Sequence, residues 1–113
     1  MAQPLVSFTS YEDIDATRGE SITIWLDIIP NAPGDIQVKF SLDGSQCYFE
    51  ENDSETMELD AENLGAYVEK SYEFSMTVNS SDVSGDIVTA LNAEVTNDND
   101  ETSDTNSRNL NLT

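Results

Sequence analysis

Asp98, Asp100, Thr102 and Asp104 stand at every second position. That is the spacing at which calcium loops place their first oxygen ligands. Such a loop also needs Gly at its sixth position and a bidentate Glu at its twelfth. Ser103 and Asn109 occupy those places here. The expectation is a solvated hairpin tip and no cofactor, with calcium or another cation on these four residues as the sharper alternative. Glu50, Glu51, Asp53, Glu55 and Glu58 form a second acidic cluster. Paired carboxylates do acid–base work when a cleft raises one of their pKa values. No nucleophile–base pairing accompanies them, so the cluster reads as solvated loop charge. The chain has no His, which excludes His-based catalysis and His metal ligation. The sole thiol, Cys47, excludes an intrachain disulfide. Beside Tyr48 and Phe49, with acidic residues following, it reads as a buried structural thiol rather than a reactive one. These residues assign no catalytic role, and the chain is expected not to be an enzyme.

The charge balance narrows the partners. Of 113 residues, 23 are Asp or Glu and 4 are Lys or Arg, for a formal charge of -19. The bases are Arg18, Lys39, Lys70 and Arg108. Phosphate recognition needs a basic surface, so nucleic acid and anionic membrane surfaces are excluded. No run approaches a membrane span, so no membrane insertion is expected. The first seven residues lack the basic start and apolar run of a secretory signal, and the expectation is either a chain that stays inside the cell that makes it or one whose signal has been removed. So many like charges oppose compaction in dilute buffer. At about 1 M salt the screening length falls to roughly 3 Å and that repulsion fades. Few Lys, many evenly spread acids and modest apolar content point to a salt-rich cell interior or brine. The alternative is an acidic surface used for solubility or for a basic partner.

The elements that must hold these residues follow from period-two alternation, since no window carries a helical period. Strands are predicted at 5–10, followed by a short second piece at 14–17, and at 21–29, 36–42, 46–49, 67–78 and 86–95, with a brief strand at most at Met57 and Leu59 and a short last one at Leu110 and Leu112. Asp43-Gly44 signals a hairpin, and 97–109 reads as a long polar loop. On 21–29, Ile22, Ile24, Leu26 and Ile28 share one face, and Trp25 and Ile29 the other. Periodicity does not say which face is inside. If the Ile stripe is core, Trp25, Ile29, Tyr48 and Tyr67 become candidate interface residues. Three Asn-x-Ser/Thr triplets begin at Asn52, Asn79 and Asn111, a number that chance supplies in so polar a chain.

The run Gly19-Glu20-Ser21-Ile22-Thr23-Ile24-Trp25-Leu26 resembles the entry into the second strand of immunoglobulin-like domains. Residues 36–44 are similar to the third strand with its turn, and 82–87 to the loop into the sixth. The stretch Asn99-Asp100-Glu101-Thr102-Ser103-Asp104-Thr105-Asn106 looks like the acidic loop before the last strand of archaeal and bacterial CARDB-like adhesion modules. The Cys pair of true immunoglobulin domains is missing, Trp25 falls on the second strand rather than the third, and Ile87 stands where a corner Tyr belongs.

The expected architecture is all-β: one immunoglobulin-like antiparallel β-sandwich over residues 1–113, of seven to eight short strands. The expected function is structural, as a virion surface subunit of a haloarchaeal virus. Capsid decoration, turret and tail accessory roles all fit, acting by homo-oligomerisation and by contact with a capsid protein. The alternative is a cell-surface adhesion or surface-layer module of a halophilic archaeon. An acidic mimic of a basic partner's ligand is a third reading. It predicts acids gathered on one face, whereas here they are spread along the chain.

Overall fold

A computed structural model describes residues 5–8, 12–44, 46–81, 85–98 and 102–113. Among them there is no helix, and nine strands form two sheets. The strands are β1 (Leu5–Phe8), β2 (Ile14–Ala16), β3 (Ser21–Ile29), β4 (Gly34–Leu42), β5 (Cys47–Phe49), β6 (Thr56–Leu64), β7 (Lys70–Ser80), β8 (Ile87–Asn97) and β9 (Thr102–Leu112). One sheet has the order β1-β3-β7-β5, the other β2-β9-β8-β4-β6. All pairings are antiparallel except β2 with β9.

The alternation decides which side faces in. Ile24, Leu26 and Ile28 of β3 are buried, as are Ile36, Val38, Phe40 and Leu42 of β4. Phe74, Met76 and Val78 of β7 join Leu91, Ala93 and Val95 of β8 in the same cluster. Phe40 and Phe74 meet across the two sheets edge to face, with ring centroids 5.3 Å apart, a preferred aromatic geometry. The Ile stripe is therefore core, and Trp25 points outward.

Several expectations are corrected. There are nine strands among the described residues, not seven or eight. Residues 97–109 are not a long loop, because β9 begins at Thr102 and pairs with β8 through Asn97↔Thr102. Backbone pairing along a long hairpin overrides a polar sequence there. Met57 and Leu59 belong to a nine-residue strand at the edge of its sheet. Met57, Leu59 and Ala61 alternate with Glu58, Asp60 and Glu62, but a bulge then shifts the phase before Leu64, and charge is how edge strands resist unwanted pairing. Asp43-Gly44 does not close a hairpin, since β4 and β5 lie in different sheets and β5 pairs with β7. Finally, β7 starts at Lys70 rather than at Tyr67. Tyr67 has φ +60°, outside the β region, and its N–H donates to the Pro30 carbonyl at 2.8 Å.

Candidate functional site

The four candidate interface residues do not form one patch. Trp25 stands on the outer face of β3 with 49% of its surface exposed, opposite Glu73 of β7. Ile29 is half-buried at the end of the same strand. Tyr67 is 73% exposed in the β6–β7 connection, at the Ile29 end of the molecule. Tyr48 is half-buried on β5, opposite Asn79. Asn79 and Lys70 lie at opposite ends of β7, and Lys70 is opposite Ile28. At about 3.3 Å per residue this puts Tyr48 roughly 30 Å from the Ile29–Tyr67 end. Trp25 lies between them, flanked by Thr23 and Ser75 and by the acids Asp27 and Glu73. Asp27 accepts a hydrogen bond from the Ser71 hydroxyl across the strands. Trp25 also walls a cleft of about 520 Å³ between β2 and the edge of β3, where Phe8, Ile24 and Arg108 contribute lining.

Two of the four candidate cation ligands, Asp98 and Asp104, have described side chains. Asp98 is exposed just past β8, with its N–H on the Asp35 carbonyl at 3.0 Å. Asp104 sits on β9 opposite Val95, and its Oδ2 accepts the Val6 N–H at 3.1 Å. Asp100 lies outside the described residues, and of Thr102 only its place at the start of β9 is described. In the second acidic cluster, Glu51 Oε1 accepts the Thr77 N–H at 2.5 Å and Glu50 Oε1 accepts from Asn79 Nδ2 at 2.6 Å. These two carboxylates hold the β5–β6 connection to β7, while Asp53, Glu55 and Glu58 face solvent.

Two polar seams close the open sides between the sheets. In the first, β9 presents Asp104, Asn106 and Arg108 in the phase of the buried Leu110 and Leu112. Asp104 takes the Val6 N–H, and Asn106 Nδ2 donates to the Val6 carbonyl at 3.1 Å. Together they replace the strand that edge strand β1 lacks on that side. The Arg108 guanidinium lies 5.2 Å from the Phe8 ring centre and donates to Asn106 Oδ1 at 3.2 Å. The cation–π contact covers an aromatic residue that would otherwise meet water.

In the second seam a bulge between Ile36 and Gln37 leaves Ala61 as the extra residue of β6. Glu62 thereby shares the phase of Leu64, which packs on the core. Its Oε1 accepts from the Tyr72 hydroxyl at 2.7 Å and from the Lys70 ammonium. This is the one ion pair found among the described residues. The Lys70 and Tyr72 hydrogen bonds hold the Glu62 carboxyl below its ordinary pKa. Burial and the adjacent Glu62 push the Tyr72 phenol above its own. Burial also raises the Cys47 thiol, against a smaller opposing pull from Arg18. The seams escaped sequence reasoning because a lone Asp-x-Asn on a polar run, or a Glu on an acidic strand, carries no signal of the strand it will face.

No protein-family model matches this chain, and no curated protein matches it.

Proposed function

We propose that this chain is a structural subunit that works through protein–protein contacts on a surface facing brine. The specific reading is a virion surface protein of a haloarchaeal virus, as a capsid decoration, turret or tail accessory subunit. The observation that carries it is Trp25, the one Trp of the chain. It stands half-exposed at the middle of a sheet face otherwise made largely of Ser and Thr, and Trp is the residue type most enriched among interface anchors. An immunoglobulin-like fold supports the same reading. Its first strand would be divided, β1 joining β3 in one sheet and β2 joining β9 in the other. The orders β1-β3-β7 and β9-β8-β4 would then match the two sheets of such a domain. The acidic composition fits a protein that folds and functions in high salt, where charge repulsion is screened.

A cell-surface adhesion or surface-layer module uses the same face, and the exposed Tyr67 and Val68 at one end of the molecule suit it as a second contact. Antibodies raised against the folded chain separate the two. Labelling of purified virus particles from the source culture supports the virion reading. Labelling of cell envelopes moves the protein to the cell surface. Label found only in soluble cell contents overturns both.

A further inference from the structure

We infer that two copies of this chain pair through the outer face of β4, β8 and β9, leaving the Trp25 face for a different partner; this rests on the reading of the chain as an assembly subunit. The face stands out by the charge it lacks. From β8 it presents Val88, Ala90, Asn92, Glu94 and Thr96. Their partners on β9 are Asn111, Asn109, Ser107, Thr105 and Ser103. The only charge among those ten side chains is Glu94, and β4 sets Lys39 directly beside it. Gln37 and Ser41 flank Lys39 in the outward row of β4, opposite Thr96 and Asn92, and Asp35 ends that row at the border of the face. In a chain of net charge -19, the middle of this face holds a single acid, Glu94, with the base Lys39 beside it.

The acids stand around it instead. Glu58 and Asp60 on β6 line one border and Asp15 on β2 the other. Asp43 and Asp98 sit just beyond the ends of β4 and β8. The pattern is a low-charge centre with a charged rim, as in protein interfaces.

Geometry makes the face large enough. The eleven-residue strands β8 and β9 are about 36 Å long and the nine-residue β4 about 30 Å, and three strands spaced about 4.8 Å apart span about 14 Å. That gives roughly 500 Å² per copy, or about 1,000 Å² for a pair, the lower limit for a specific interface. The side chains are short and partly fixed in place. Ser107 Oγ donates to Asn92 Oδ1 at 2.5 Å, and Asn92 Nδ2 reaches Ser41 Oγ at 3.3 Å. Few rotamers remain to be frozen on contact. A two-fold axis through the Lys39–Glu94 row sets the base of each copy against the acid of the other.

The outer face of the other sheet does not suit a second copy. It carries Asp27 and Glu73 beside Trp25, and the facing strands β3 and β7 offer no base within that row. Two such faces would bring four acids together, whereas a partner with basic groups would be welcomed.

The test is sedimentation equilibrium in about 2 M KCl, where screening removes long-range repulsion. Three proteins are compared: the wild-type chain, Thr105→Glu/Asn109→Glu on the proposed face, and Thr23→Glu/Ser75→Glu on the Trp25 face. All four positions are exposed, and both variants add the same charge. The expected result is a wild-type dimer, retained by the Thr23/Ser75 variant. In the Thr105/Asn109 variant the dissociation constant should rise by about 100-fold or more, the scale of burying an unpaired charge. Concentration-dependent amide shifts of the wild-type chain give a readout that needs no variant; they should fall on β8 and β9 and spare β3 and β7. A wild-type monomer at every concentration overturns the inference. So does a dimer that survives Thr105→Glu/Asn109→Glu. If that surviving dimer is lost in Trp25→Ala, the chain is still an assembly subunit and only the choice of face is wrong.

Discussion

Removing the Asp104 carboxylate should loosen β1 without unfolding the protein. Two opposing effects make the sign informative. The Asp104→Ala change takes one acid from a chain of net charge -19, and if general repulsion governed stability the variant would be the more stable one in dilute buffer. It also deletes the acceptor for the Val6 N–H. A hydrogen bond to a charged group contributes about 1.5–3 kcal/mol, and the neutral Asn106 bond to the Val6 carbonyl about 0.5–1.5 kcal/mol. Removing one charge from an exposed set relieves only a few tenths of a kcal/mol in moderate salt. The hydrogen bond wins, and the expected loss is about 2 kcal/mol. Val6 and Phe8 are nearly fully buried, and their burial is worth about 1.5–3 kcal/mol each. That keeps β1 docked in the variant. The assay is amide hydrogen exchange by NMR with urea unfolding alongside. A loss of about 2 kcal/mol corresponds to Val6 exchanging about 30-fold faster. The urea midpoint falls by about 1–2 M at a slope of about 1–2 kcal/mol/M. The Leu26 and Ile28 amides of β3 should follow global stability only. Asp104→Asn, which keeps an oxygen acceptor, should recover much of the protection. Unchanged Val6 exchange in both Asp104→Ala and Asn106→Ala would refute the seam, and a midpoint that rises in dilute buffer would show that charge repulsion outweighs the hydrogen bond.

The second seam responds to pH. The Glu62 carboxyl titrates below its ordinary value in the folded state, so its contribution is complete above about pH 4.5 and is lost as pH falls through the lowered folded value. Glu62→Gln should flatten that part of the wild-type acid limb, and parallel limbs would show that the pairing with Lys70 and Tyr72 contributes nothing. Cys47, with 1% of its surface exposed, should react with a disulfide reagent at pH 8 only as fast as the protein opens, so its rate should climb with urea; prompt reaction in native buffer would contradict the burial. Phe40→Ala, which empties the centre of the core beside Phe74, should cost about 3–5 kcal/mol. Thermal midpoints should rise steadily from dilute buffer to about 2 M KCl, and a flat response would remove the halophilic reading of the charge.

What can be read in the sequence is set by which residues face the core. The strand β3 is legible with its bounds intact, because Ile22, Ile24, Leu26 and Ile28 alternate with polar residues for most of its length. The inward rows of β4, β7 and β8 are legible for the same reason. β9 is not, because its inward row changes from Leu112 and Leu110 to Arg108, Asn106 and Asp104 where the sheets part. Two of those polar side chains, Asp104 and Asn106, bond to β1, which is about a hundred residues away in the chain and invisible to any local window. The bulge in β6 shifts the phase between Leu59 and Leu64 and breaks the period there. Asp43-Gly44 has the composition of a hairpin, but local turn chemistry cannot say that the next strand belongs to the opposite sheet. The candidate interface residues come from the same alternation, and their separation of roughly 30 Å becomes visible only once β5 is placed beside the far end of β7.

The location of the acids says more about assembly than their number. Along the sequence they are evenly spread, which favours no face. In the fold they gather on the connections, on the β6 edge and at the strand ends, because outward strand positions are filled mainly by Ser, Thr and Asn. An acidic coat adopted only for solubility would have no reason to spare the middle of the β4-β8-β9 face. Sparing it lowers the repulsion that a neighbour must overcome on approach there, where the one central acid, Glu94, has a base beside it. The charged β6 edge acts in the opposite direction, by discouraging strand-to-strand addition along the one long edge of that sheet. The same chain thus blocks association by edges and permits it by faces, which favours closed, face-to-face assembly over open-ended growth.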